Sequence, residues 1–103
     1  MIPFRFRARA RRDVETADTY YKSEAGFAVS RAFLRAVDGA VGLLRQQPTA
    51  GSTRWSLYAR DPELRSWPLK GFPYLIFYRH GPSGIDVIRV LHTSRDLPVT
   101  LQE

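Results

Sequence analysis

Few residues of this sequence are of a type that does chemistry, and their spacing narrows the reactions further. There is no cysteine and only His80 and His92 as imidazoles. Disulfides and thiolate metal sites are therefore excluded, and two histidines alone do not make a His-rich zinc site. Ser94 follows close on His92, but neighbouring side chains at a strand end point apart, so a serine–histidine pair is poorly served. Asp61 and Glu63 are the one close acidic pair in the central loop, where solvated charge is the default. No glycine-rich phosphate loop occurs. One parts list remains, that of metal-free RNA cleavage. His92 would take the 2′-hydroxyl proton, and Arg65, Lys70, Arg79, Arg89 and Arg95 would hold the phosphate. The same basic residues read equally well as a solvated sheet surface.

The charge balance points to partners. Sixteen basic residues oppose ten acidic ones, giving +6, and Lys22 and Lys70 are the only lysines, leaving fourteen arginines. The isoelectric point is about 10.3. Arginine favours bidentate contacts to carboxylate and phosphate, so the implied partner is acidic, either nucleic acid or an acidic protein segment. At 103 residues, 44% hydrophobic and 25% charged, residues 1–103 make one small globular domain. That is too short for a paired dinucleotide-binding fold or a (β/α)8 barrel. The longest apolar run, Tyr74–Tyr78, is far below the roughly 20 residues that cross a bilayer. No stretch near Met1 resembles a signal peptide, so a cytoplasmic location with no membrane partner is expected.

The elements that must position these residues follow from periodicity. Ile2, Phe4 and Phe6 alternate with Arg5 and Arg7, which predicts a strand, frayed or at an edge because of Pro3. Ala10, Val14, Ala17 and Tyr21 make an apolar stripe on a helix over 9–24, with Arg11–Glu15 and Asp18–Lys22 pairs on its wet side. Phe33, Val37, Ala40 and Leu44, widened by Leu34 and Val41, make a second over 27–46, ended by Pro48. Gly39 and Gly42 weaken that helix, and close approach of another backbone is the expected compensation. Residues 48–63 lack a period. Strands are predicted at 64–70, 74–79 and 85–92, the last two joined by a Gly81–Gly84 turn. The fold class is α+β, in the order β-α-α-β-β-β, with a helical hairpin packed on an antiparallel-rich sheet.

Three segments carry a family resemblance. They are Val41-Gly42-Leu43-Leu44-Arg45-Gln46-Gln47-Pro48, the Phe72-Pro73-Tyr74-Leu75-Ile76-Phe77-Tyr78-Arg79 strand with the residues from Leu64 before it, and Ile85 through Val90-Leu91-His92-Thr93-Ser94-Arg95-Asp96. Together with the element order, they make the chain resemble the RelE/ParE toxin superfamily from Phe6 to about Pro98. RelE-like members are ribosome-dependent mRNA endonucleases, and ParE-like members are associated with poisoning DNA gyrase. Where the nuclease branch places basic side chains on the second strand, this chain has Ser66 and Pro68. Where it places an arginine after the tyrosine opening the third strand, there is Leu75, and the tail from Thr93 has no tyrosine. Serine, proline and leucine cannot neutralise a phosphorane-like transition state.

The resemblance therefore implies a ParE-like toxin of a type II toxin–antitoxin system, with no catalytic residues and no cofactor. It implies a topoisomerase target, most simply gyrase, and a ParD-like antitoxin whose acidic C-terminal segment is disordered when free. The alternatives are a RelE-like mRNA endonuclease acting on the ribosome and a plain basic adaptor. Arg65, Lys70, Arg79, His92 and Arg95 are the candidate target-facing residues. Tyr20, Phe27, Arg31, Arg35, Trp55 and Tyr58 are the candidate antitoxin contacts. For the C-terminal motif the bland reading is that His92 packs beside Tyr78 and Asp96 pairs with an arginine.

Overall fold

The stripes predicted along the two helices are the faces they bury. A computed structural model describes residues 2–103. Helix α1 (Ala8–Ala25) buries Ala10 and Ala17, and α2 (Phe27–Gln46) buries Phe33, Val37, Ala40, Val41 and Leu44. One residue joins them. Gly26 sits at φ 92°, a conformation that glycine adopts without steric cost, and its N–H closes α1 on the Tyr21 carbonyl at 3.0 Å. Asp18 faces the partner helix rather than only solvent: its carboxylate accepts from the Ser30 hydroxyl and also pairs with Lys22 at 3.5 Å.

Four strands form one mixed sheet in the order β1-β4-β3-β2, with β1 (Phe4–Phe6), β2 (Arg65–Pro68), β3 (Tyr74–Gly81) and β4 (Gly84–His92). β1 runs parallel to β4, and the other two pairings are antiparallel. The β3–β4 turn is the predicted one, closing from Gly81 to Gly84. Gly84 is required there. Its φ is 112°, and a Cβ on it would lie 2.1 Å from the Pro3 carbonyl oxygen, so β1 can approach only a glycine.

Consecutive residues of the central strands face two different cores. Ile76 and Val90 join the helical hairpin in one cluster; Phe77 and Leu91 join Leu64 and Leu97 in another on the opposite face. That second face is covered by two short helices, α3 (Ser56–Ala59) and α4 (Leu97–Leu101). The molecule is thus three layers, hairpin, sheet and a thin cover, where the sequence predicts two.

Two local expectations are corrected. Gly39 and Gly42 meet no backbone: a Cβ at either would have nothing within 4 Å. Leu34 is 37% exposed and does not widen the buried stripe, whereas Val41 at 4% does. Helix α4 lies in what reads as a tail. Its signal is nonetheless present, since Asp96 accepts from the Val99 N–H at 3.3 Å as an N-cap and Pro98 stands in the first turn.

Candidate functional site

Half of the fourteen arginines are tied to the fold by a side-chain hydrogen bond or ion pair, and this separates the cations that build from those that can bind. β1 ends at Phe6, with the Arg7 N–H on the Val87 carbonyl, so the edge of β4 beyond that point has no strand beside it. Asp13 of α1 fills the gap. Its carboxylate accepts from the Val90 N–H at 3.0 Å and from Arg89 at 2.8 and 3.0 Å. Both side chains are nearly buried, at 13% and 10% exposed, and the bidentate carboxylate raises the Arg89 pKa further. The register shift between Phe77 and Tyr78 produces this geometry. Arg89 lies opposite Phe77 and Val87 opposite Tyr78, so Ile88 is the additional residue on β4. Arg89 is therefore a structural cation, not a phosphate ligand.

Arg65 and Arg79 are also engaged. Arg65 donates to the Thr49 and Gly51 carbonyls at 3.2 and 2.9 Å. The loop they hold is anchored again by Tyr78, whose hydroxyl donates to the Pro48 carbonyl at 2.7 Å and accepts from the Gly51 N–H at 2.9 Å. Burial pushes that phenol up, against the backbone N–H and the Arg65 charge, which pull it down. Arg79 lies 3.0 Å from Asp61, an ion pair whose Nε–H is not aimed at the carboxylate oxygen. Asp61 is thus the tether of the central loop rather than a solvated charge. Arg5 and Arg7 share Asp86.

His92 and Arg95 do come together, at the end of the sheet beside α1. With Arg12, Thr16, Tyr20 and Tyr74 they line a cleft of about 620 Å3. The ring beside His92 is Tyr74, at 5.0 Å between centroids, and not Tyr78, because the antiparallel register sets Tyr74 opposite His92. His92 Nδ1 accepts from the Ser94 N–H at 3.0 Å. Burial, and then the neighbouring Tyr21, push Tyr74 up to about 12, so its phenol stays protonated. Asp96 caps α4 and forms no ion pair among the described residues.

The antitoxin candidates divide between layers. Tyr20, Phe27, Arg31 and Arg35 are exposed on the hairpin, with Tyr20 at 58% and Phe27 at 68%. Trp55 and Tyr58 belong to the cover of the other face, 5.6 Å apart between rings, with Trp55 packed on the second core. Leu57, the apolar residue between them in the aperiodic stretch 48–63, is 86% exposed on α3.

Ser66, Pro68 and Leu75, the positions that the resemblance sets against the nuclease branch's cations, lie in one cleft of about 530 Å3 on the second face. Its lining includes Arg54 and Arg95 and no lysine. Ser66 is itself buried and is bridged on both backbone groups to Ser52 at 2.9 Å.

Comparison with known proteins agrees with this arrangement. The family described as "ParE toxin of type II toxin-antitoxin system, parDE" matches residues 4–97. A solved chain from the chromosomal ParDE TA system of P. aeruginosa superposes with a TM-score of 0.75 at 19% identity, covering 91% of this chain and 98% of that one. No curated protein matches.

Proposed function

The chain belongs to the ParE toxin family of type II toxin–antitoxin systems, and from that premise we propose that it arrests growth by binding and inhibiting DNA gyrase. The observation that carries the choice of target is the second-face cleft. Ser66, Pro68 and Leu75 line it where phosphate-neutralising side chains would have to stand. A ribonuclease transition state loses several kcal/mol with each missing electrostatic contact, roughly 3 kcal/mol for one donor. Inhibition by binding needs no such groups. The fold is kept and the site differs, which is the ordinary relation between folds and functions.

A cognate ParD-like antitoxin holds the toxin in check in the cytoplasm. Its acidic C-terminal segment, disordered when free, folds along the hairpin face, against Tyr20, Phe27, Arg31 and Arg35. The exposed aromatics there and the net charge of +6 support this. No helix among the described residues is long and apolar enough to cross a membrane.

The test is expression with and without the product of the adjacent small reading frame. The proposal predicts growth arrest with relaxed plasmid DNA and intact mRNA, relieved by co-expression. Arrest with normally supercoiled plasmid and mRNA cut on ribosomes would replace gyrase with the ribosome as target.

A further inference from the structure

We infer that the second-face cleft between α3 and the start of α4 is the surface that grips the toxin's target protein, by seating one large apolar side chain flanked by carboxylates. This rests on the toxin reading above and assigns it a place. The floor is apolar and reachable: Leu75 and Trp55 are half-buried, Pro68 is exposed, and Leu97 closes the base at 5% exposed. The rim carries Arg54 and Arg95. Among the described residues neither guanidinium has an ion-pair partner, unlike Arg5, Arg7, Arg79 and Arg89. Asp96 is the one carboxylate in the lining, and it is occupied in capping α4. An apolar floor between two free guanidinium groups is complementary to an apolar anchor between acidic residues.

The Arg54 side chain is held in place for this. Its guanidinium stacks 4.9 Å from the Trp55 ring centroid, so less freedom is lost when a carboxylate arrives. The same contact argues against a nucleic-acid strand as occupant. Arg54 and Tyr58, the latter 5.6 Å away, already take the indole's neighbours, leaving no free platform for a base. Two cations are also few for tracking a phosphate backbone. The exposed Leu57 and Tyr58 extend the apolar surface beyond the cleft along α3. This face is opposite the hairpin, so Arg54 lies away from the antitoxin candidates there, whereas Arg95 also lines the cleft that holds Tyr20.

The experiment compares wild type with Arg54→Glu, Arg95→Glu and the double variant in three readouts: growth arrest, inhibition of purified gyrase, and binding of the purified antitoxin. The variants change exposed residues, and antitoxin binding reports that the fold is intact. The inference predicts at least tenfold weaker arrest for the double variant, with antitoxin affinity changed less than threefold by Arg54→Glu. Full arrest by the double variant overturns it. Loss of antitoxin affinity in Arg54→Glu also overturns it and assigns the cleft to the antitoxin. If wild type arrests growth without inhibiting gyrase and the double variant does not arrest, the cleft stands and the gyrase reading falls. A wild type that does not arrest growth contradicts both.

Discussion

At the scale of single residues, half of the arginines act as fasteners. The Asp13–Arg89 pair is the sharpest case, because it closes the strand edge that β1 is too short to cover. Removing one partner leaves the other buried and unpaired, so Asp13→Ala should cost about 3 kcal/mol in a urea melt, and Asp13→Leu with Arg89→Met should recover much of it. A loss below about 1 kcal/mol for Asp13→Ala would mean that the pair is solvated. Asp86 gives a pH signature. Burial raises its carboxyl, but the hydrogen bonds and charges of Arg7 and Arg5 outweigh burial and hold it below the ordinary carboxylate value. A depressed folded pKa contributes stability that is present above the unfolded value, about 3.9, and lost as pH falls through the folded one. Acid melts should therefore steepen below about pH 4, and Asp86→Asn should remove that part of the slope. The sequence names these arginines as a group but not their tasks. Asp13 and Arg89 are 76 residues apart, and nothing local links them.

At the scale of elements, the long patterns were legible and the short ones were not. Helix α2 runs over the predicted Phe27–Gln46, and the Gly81–Gly84 turn stands where β-branched runs and Pro82 put it. Long amphipathic periods are strong because many positions repeat the same message. Helices α3 and α4 have four and five residues, too few for a period. Only the Asp96 cap and Pro98 announce α4. The parallel pairing of β1 was illegible for the same reason, since three residues carry a period but no direction. The glycines divide by environment, with opposite predicted signs. Gly39→Ala has open space and a helical backbone, and should stabilise by about 1 kcal/mol. Gly84→Ala meets the Pro3 carbonyl at positive φ and should cost about 2 kcal/mol or more. Thermal melts of the two variants decide, and equal effects would contradict the account of β1 docking.

At the scale of the whole molecule, the sheet separates two surfaces. The hairpin layer presents aromatics with Arg31 and Arg35, and the thin layer of α3 and α4 presents a cleft with Arg54 and Arg95. The net charge of +6 acts over the whole surface as a steering field for acidic partners. Association with the antitoxin should therefore slow steeply as salt is raised, and Arg31→Glu with Arg35→Glu should slow it by about tenfold while dissociation changes less. Stopped-flow rates that ignore ionic strength would contradict an electrostatic encounter. The sequence places Trp55 and Tyr58 in the central loop but does not say which sheet face that loop covers. The strand alternation that separates Ile76 from Phe77 supplies it only once the covering elements are known. The proposed function has this domain stop a topoisomerase by binding it, without cutting RNA. Its most direct test is to titrate the purified toxin into a supercoiling reaction of purified gyrase on relaxed plasmid, alongside translating ribosomes with a defined mRNA. A gyrase-binding toxin makes supercoiling fail while the mRNA stays whole; undiminished supercoiling with cleaved mRNA would rule that function out.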